Sequence, residues 1–195
     1  MEVAVKNKFA IVDIETTGSP ANSNGITEIA IVLHNGKEIE GKYETLINPG
    51  MPIPPYVAHL TNISNKMVAS APDFSEVADK VFNLLEDRIF VAHNVGFDYP
   101  FMQYFFAKNG IKFQTEKLCT LKLTRKAFPG LERYGLDFLC KAMEIDLANH
   151  HRAGGDAYAT AIIFDRIINH GGGKLIDSMI EKPAPLVVKK KKVYK

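Results

Sequence analysis

Apolar and polar positions in the first quarter of the chain follow a pattern that predicts three strands. The run Lys8–Ile14 is almost continuously apolar and rich in β-branched residues, as in a strand buried on both faces near the centre of a sheet. A second apolar run, Ile26–Leu33, leads through Asn35-Gly36, a common hairpin turn, into Glu38–Ile47. We therefore expect three consecutive strands with antiparallel connections.

The rest of the chain alternates between strand and helix patterns. Pro52–Pro55 indicates a loop, and Ser64 and Asp73 are predicted helix N-caps, the second of which opens an amphipathic helix that reaches Glu86. The further predicted elements are strands at Arg88–Ala92 and Glu116–Leu121, and helices at Gly96–Lys108, up to Phe128, at Leu136–Met143 and at Gly155–Asn169. This order predicts an α/β fold with a mixed five-stranded sheet flanked by helices.

Composition is consistent with one folded unit. The chain has 195 residues, of which 46% are hydrophobic and 24% charged, as is typical of globular domains. The glycines at 171–173 are predicted to end the compact region, so we expect a domain over residues 1–173 and a flexible basic tail over 174–195. The N-terminus has no secretory apolar region, and no window has eighteen apolar residues. Two cysteines suit reduced thiols, and we expect a cytoplasmic protein with no membrane segment.

The net charge of +2 conceals an uneven distribution of charge. Six of the 24 Lys and Arg residues lie in Lys182–Lys195, which contains no acid, so the remainder has 18 basic and 22 acidic residues, a net charge of −4. The lysines of the tail can contact the phosphate backbone of a nucleic acid, contact a partner protein, or serve solubility alone.

Carboxylates occur at three junctions between predicted elements. Asp13 and Glu15 end the first strand, and because side chains alternate along a strand, both point to one face of the sheet. Asp98 begins the helix after the fourth strand, and Asp156 begins the last helix, five residues after His151. Clustered carboxylates suit hard divalent ions such as Mg²⁺ or Mn²⁺. Each motif taken alone also fits a structural explanation, a solvated strand end or an acid at a helix N-terminus.

Taken together and in this order, the motifs resemble those of the DEDDh family of 3′–5′ exonucleases, whose members include the proofreading (epsilon) subunit of bacterial DNA polymerase III. The segments that carry the resemblance are Phe9–Gly18, Thr27–Val32, Ala92–Asp98 and His151–Ala157. Two connecting segments, Cys119–Lys126 and Tyr134–Leu139, are similar to those of the polymerase-associated branch. The resemblance spans Lys8 to about His170, and it implies a ribonuclease H-like fold.

The resemblance assigns roles residue by residue. It implies that two divalent cations, Mg²⁺ or Mn²⁺, are held by Asp13, Glu15, Asp98 and Asp156. His151, which has the family's spacing to Asp156 where His150 does not, is the implied general base. The implied contacts to the terminal nucleotide are Ile14, Thr16, Thr17, Asn94 and Phe97, although Phe97 could equally be a core residue. The segment His59–Ile63 resembles one that lines the substrate cleft, with Asn62 where many relatives have Gly.

The function implied by the resemblance is removal of nucleoside 5′-monophosphates from DNA 3′ ends, in proofreading or repair. Single-stranded or mismatched DNA 3′ ends are the expected substrates, and a DNA polymerase catalytic subunit is a candidate partner. Two alternatives stay open. One is an RNA-directed exonuclease similar to oligoribonuclease or ribonuclease T, because recognition of the 2′-hydroxyl is not legible in these motifs. The other is a non-catalytic subunit that binds a polymerase.

Overall fold

The computed structural model describes residues 8–147 and 151–183. Within these residues five strands form one sheet: β1 Phe9–Thr16, β2 Ile26–His34, β3 Ile39–Leu46, β4 Ile89–Ala92 and β5 Lys117–Cys119. Their spatial order is β3-β2-β1-β4-β5, with β1, β2 and β3 antiparallel and with β4 and β5 parallel to β1. The predicted mixed five-stranded sheet is confirmed.

The central strand β1 runs two residues further than the sequence pattern predicts, to Thr16. Glu15 is paired with Glu28 of β2, and the register then shifts so that Thr16 faces Ile26. This irregularity is a bulge at the end of the strand, a feature that often lies next to functional sites. The carboxyl ends of β1, β4 and β5 meet at one edge of the sheet, where open α/β sheets bind their ligands.

Helices cover both faces of the sheet. Those in the described residues are α1 Pro55–Thr61, α2 Asn65–Val68, α3 Phe74–Leu85, α4 Asp98–Lys108, α5 Thr120–Ala127, α6 Leu136–Ala142 and α7 Ala153–Asp177. Alternation along β1 directs Phe9 and Ile11 to the core under α5, α6 and α7. The residues between and beyond them, Ala10, Val12 and Ile14, face the core under α3 and α4.

The predicted helix starts agree with the observed caps. Asp73 is the N-cap of α3, where its carboxylate accepts from the Ser75 and Glu76 N–H groups at 2.7 and 3.3 Å. Glu76 completes a capping box by accepting from the Asp73 N–H at 2.8 Å. Ser64 caps α2 by accepting from the Met67 N–H at 3.3 Å. These local bonds explain why the sequence alone located both helix starts.

Two segments differ from the sequence prediction. The proline-rich loop ends in α1, because a proline is well tolerated in the first turn of a helix. Helix α7 continues to Asp177 through a kink at Gly172 rather than ending at Asn169. Beyond it, Glu181 exchanges two backbone hydrogen bonds of 2.9 and 2.8 Å with Lys117 of β5. The compact region therefore does not end at the glycine triplet, since glycine accommodates the bend and Ile176 stays fully buried.

The remaining predictions concern the thiols, the membrane and the tail. Cys119 and Cys140 are buried free thiols. Among the described residues, no helix is both long and apolar enough to cross a membrane. The lysine cluster of the predicted tail falls within residues 184–195, which lie outside the described residues, so its role stays a prediction.

Candidate active site and metal centre

Three carboxylates converge at the carboxyl end of β1. Asp13 and Glu15 project from the same face of β1, and Asp156 meets them from the first turn of α7, which packs on that face. One oxygen from each of the three carboxylates lies within 4.8 Å of the other two. The sequence separates Asp156 from the others by more than 140 positions, so this cluster is a product of the fold.

Asp98 joins the cluster from the opposite side of the strand. It is the first residue of α4 and is only 4% exposed. One of its carboxylate oxygens accepts a hydrogen bond from the Ile14 N–H at 3.3 Å, which ties the start of α4 to β1 between the two strand acids. Its charge also raises the pKa of Asp13. The structure thus brings together all four acids that the resemblance singled out.

The electrostatic environment of the cluster favours the binding of protons or cations. Burial raises the pKa of Asp13, and the neighbouring carboxylates of Asp98, Asp156, Glu15 and Glu28 raise it further. Burial, together with nearby carboxylates, raises the pKa of Glu15 to about 8, although Arg152 acts in the opposite direction. Burial raises the pKa of Asp98 to about 7.

Such a cluster holds protons at neutral pH or exchanges them for a cation. Its ligands are all carboxylate oxygens, which is the donor set that Mg²⁺ and Mn²⁺ prefer. The residues present therefore fit a divalent metal centre.

His151 lies two residues before α7, the helix whose first turn carries Asp156. It is half-buried and adopts a left-handed backbone conformation with φ of 61°. Arg152 separates it from the helix, and the Arg152 carbonyl accepts from the Asp156 N–H at 3.1 Å. His151 is therefore one residue from the helical turn that carries Asp156. The alternative histidine, His150, lies outside the described residues.

Glu28 lies on β2 beside the acid cluster, and the sequence analysis predicted no role for it. It lies opposite Glu15 in the strand register and is 1% exposed. Its carboxylate accepts from the Arg152 guanidinium and from the Ala153 N–H. A detectable signal did exist, because an acid in the middle of an apolar strand is unusual, and here its strand partner is a predicted site residue.

The residues predicted to contact the terminal nucleotide fall into two groups. In the first, the Thr17 hydroxyl accepts from the Gly25 N–H at 3.0 Å and donates to the Asn24 side-chain oxygen at 3.3 Å. Thr16 donates to the Gly18 carbonyl at 3.0 Å. Both threonines thus order the loop after β1 beside the cluster. The Ile14 side chain is buried in the core, and its backbone N–H is the group that donates to Asp98.

The second group lies on the loop between β4 and α4. Asn94 is exposed in a left-handed conformation with φ of 74°, and its carbonyl accepts from the Phe97 N–H at 2.9 Å. The Phe97 ring packs against Phe101 with 5.2 Å between centroids and keeps part of its surface exposed. Phe97 thus combines core packing with an accessible face. The left-handed Asn62, with φ of 55°, ends α1 in a conformation that also suits glycine.

Comparison with known proteins identifies a family for this chain. The family model described as exonuclease (RNase_T) matches residues 10–164. The chain belongs to the exonuclease family. It is therefore a nuclease, a hydrolase of phosphodiester bonds. The matched region includes all five residues described above: Asp13, Glu15, Asp98, His151 and Asp156.

Similar sequences occur as parts of much longer proteins. The chain is 39% identical over 165 residues to the 3′-5′ exonuclease DinG of Bacillus subtilis (strain 168), covering 84% of this chain and 18% of that protein. It is 37% identical over 167 residues to DNA polymerase III PolC-type of Caldanaerobacter subterraneus subsp. tengcongensis, covering 86% of this chain and 12% of that protein. The chain thus spans less than a fifth of the length of either relative.

Solved structures share the fold. Exonuclease X, solved in complex with 5′ overhanging duplex DNA, superposes with a TM-score of 0.70 at 29% identity, covering 87% of this chain and 98% of that one. Exonuclease I superposes with a TM-score of 0.78 at 19% identity, covering 88% of this chain and 43% of that one. The predicted ribonuclease H-like fold is confirmed by these exonuclease neighbours.

Proposed function

We propose that this chain is a 3′–5′ exonuclease that uses two divalent cations to remove nucleoside 5′-monophosphates from DNA 3′ ends. The observation that carries the proposal is the cluster formed by the half-buried Asp13 and Glu15 and the buried Asp156, with Asp98 against it. The name of the DinG relative, a 3′-5′ exonuclease, supports the direction of degradation. Membership of the exonuclease family supports the reaction class.

The four acids and one histidine have separate roles in this proposal. The carboxylates of Asp13, Glu15, Asp98 and Asp156 hold the two ions. When bound, Mg²⁺ or Mn²⁺ supplies charge neutralisation at the phosphate, a water of lowered pKa, and stabilisation of the leaving 3′ oxygen. His151 accepts the proton of the attacking water, the general-base role that an imidazole side chain commonly fills.

The residues around the cluster bind the 3′-terminal nucleotide. We assign the Ile14 backbone and the loop ordered by Thr16 and Thr17 to the sugar and its 3′-hydroxyl. Asn94 and the accessible face of Phe97 contact the backbone and base of the same nucleotide. An aromatic face stacks on any base, which suits an enzyme that removes nucleotides without regard to sequence.

DNA is the favoured substrate over RNA. The names of the PolC-type polymerase relative and of exonuclease X in complex with DNA support this choice. The polymerase relative also supports a role in proofreading or repair, with a polymerase catalytic subunit as partner. RNA-directed hydrolysis, and a chain that binds a polymerase without cutting, are the two competing functions.

The test is digestion of three 5′-labelled oligonucleotides with matched sequences: single-stranded DNA, duplex DNA with a mismatched 3′ end, and single-stranded RNA. With Mn²⁺ or Mg²⁺ we expect a ladder shortened from the 3′ end on DNA, release of nucleoside 5′-monophosphates, and no cleavage in EDTA. Degradation of RNA faster than of DNA would indicate an RNA-directed exonuclease. Co-purification with a polymerase without cleavage in Mn²⁺ would establish the non-catalytic function instead.

A further inference from the structure

We infer that Glu28 is a positioning residue that holds the start of α7, and with it His151 and Asp156, in place against the acids of β1. The inference rests on the proposed function, because it takes His151 as the general base. Glu28 is not assigned contact with substrate or metal. Its action passes through Arg152, the residue between His151 and α7.

The contacts of Glu28 form a clamp. Its side chain is 1% exposed, and the Arg152 Nε lies 3.1 and 3.0 Å from its two carboxylate oxygens. A second guanidinium nitrogen, Nη2, donates to Oε1, so the ion pair is bidentate. The Ala153 N–H donates to Oε2 at 2.9 Å. Bidentate arginine pairs fix orientation as well as distance, because both groups are planar and rigid.

The clamp connects the acids of β1 with the segment that carries His151 and Asp156. Glu28 lies across from Glu15 in the strand register, so its carboxylate is fixed relative to the acids of β1. Arg152 directly follows His151, and its carbonyl accepts from the Asp156 N–H at 3.1 Å. A displacement at Arg152 would therefore move the general base and one metal ligand together.

The local sequence gives the start of α7 little stiffness of its own. Arg152 occupies the N-cap position and makes no side-chain cap hydrogen bond. Gly154 and Gly155 follow within the first turn, where glycine disfavours the helix by roughly 1 kcal/mol relative to alanine. His151 has φ of 61°, a conformation that is uncommon for a residue with a side chain. Glu28, which lies on β2, replaces the missing cap. Its carboxylate accepts a hydrogen bond from the Ala153 N–H, the first N–H of α7.

The same contacts distinguish Glu28 from the metal ligands, because they occupy both of its carboxylate oxygens. Each of its two oxygens accepts at least two hydrogen bonds, from Arg152 and Ala153, and both donors lie on the α7 segment. Binding an ion would require breaking this pair and leaving the guanidinium without its partner in a half-buried position. Glu28 is therefore expected to affect turnover without acting as a ligand.

The main experiment compares the full chain with three variants: Glu28→Gln, Arg152→Met, and the double variant. Glutamine at position 28 keeps the size of the side chain but removes the charge that pairs with Arg152. For each variant we expect kcat on labelled single-stranded DNA to fall about 10- to 100-fold, with KM changed less than about threefold, because misplacement by an ångström impairs chemistry more than binding. The double variant is expected to be no slower than the slower single variant, since both remove one interaction.

The matched control is Glu40→Gln. It removes another strand-borne partner of an arginine, the 3.0 Å contact between Glu40 and Arg88, away from the acid cluster. We expect its kcat to stay within about twofold of the unmodified chain. An equal loss in this control, strictly additive losses in the double variant, or a kcat within about threefold of normal in Glu28→Gln would overturn the inference. A loss of Mn²⁺ affinity in Glu28→Gln that Arg152→Met does not share, measured by calorimetry, would also overturn it, because Glu28 would then act as a ligand independently of the clamp.

A second measurement does not depend on cleavage. Amide hydrogen exchange at Ala153 and the imidazole NMR signal of His151 report the position of this segment even if the chain cuts no DNA. We expect faster Ala153 exchange and a shifted His151 signal in Glu28→Gln, with both unchanged in Glu40→Gln. Unmodified protein that fails to cut DNA would defeat the proposed function alone. Unchanged NMR and exchange in Glu28→Gln would defeat the clamp alone.

Discussion

The two ends of the β1–β2 strand pair both contain ionisable groups, but these groups are compensated differently at each end. At the Phe9 end, His34 is fully buried, its Nδ1 accepts from the Gly36 N–H at 2.9 Å, and its Nε2 lies 2.7 Å from Asp165. Arg88, beside it, donates to the Phe9 carbonyl at 3.4 Å and pairs with Glu40. Protein groups supply the partners at this end.

At the other end of the same strands, like charges meet. The acids Asp13 and Glu15 face Asp98 and Asp156, and burial together with this repulsion raises the pKa of Asp13. Arg152, whose charge lowers the pKa of Glu15, is engaged by Glu28. Buried polar groups are thus compatible with a stable fold when their partners come from the chain, and they indicate a binding site when the compensating charge must come from outside.

The sharpest way to test this comparison is to remove one acid from each end. Asp13→Ala is expected to lower hydrolysis by at least about a thousandfold, since loss of about 4 kcal/mol of metal-dependent stabilisation corresponds to that factor. Asp165→Ala, the matched change at the Phe9 end, is expected to leave kcat near normal at temperatures where the variant is folded. Initial rates on single-stranded DNA in Mn²⁺ measure both. Comparable losses in the two variants would contradict the assignment of function to one end.

His151→Ala tests the base beside the acid cluster. We expect kcat to fall about 100- to 10,000-fold, the usual contribution of a general base, while the fold and Mn²⁺ affinity persist. His170→Ala, a change at an exposed histidine near the far end of α7, provides the control. Rates, circular dichroism and metal titration make the comparison. Normal turnover in His151→Ala would show that His151 is not the general base.

The acid end predicts a distinct pH dependence of stability in EDTA. The folded pKa of Glu15 is raised from 4.5 to about 8 and that of Asp98 from 3.8 to about 7. The folded protein thus binds more protons than the unfolded chain between these values, so its free energy of unfolding falls as pH rises from about 4 to about 8. Thermal melting should show this decline, and Mn²⁺ should reverse it by replacing the protons.

Asp13→Ala sharpens the same measurement, because it removes one of the repelling charges. We expect its melting temperature in EDTA to depend less on pH and to exceed that of the unmodified chain near pH 8. A steeper decline in the variant would contradict the electrostatic account of the cluster.

The smallest expected effect belongs to the Phe9 end. Asp165→Ala leaves the buried His34 Nε2 without the partner that lies 2.7 Å away. An unsatisfied buried group destabilises a fold by about 1 to 3 kcal/mol. Urea denaturation measures the change, and the loss should be similar with and without Mn²⁺. A loss seen only in the presence of Mn²⁺ would place Asp165 in the metal-dependent part of the molecule.

Local patterns were sufficient to predict much of the fold. The hairpin at Asn35-Gly36, the capping box at Asp73 and the apolar run of β1 each depend on neighbours within a few residues, so the sequence alone located them. Period-two alternation also placed Asp13 and Glu15 on one face. The prediction was wrong where a local signal was ambiguous: Pro55 begins α1, and the glycines at 171–173 bend α7 without ending it.

The strand and helix order and the candidate chemistry could be predicted from the sequence, because periodicity, caps and motif spacing are local properties. The contact of Asp156 with Asp13, and the pairing of Glu28 with Arg152, became visible in the folded chain alone. The partners in that ion pair are separated by 124 positions. No local rule relates such residues, since their contact depends on how α7 packs across β1 and β2.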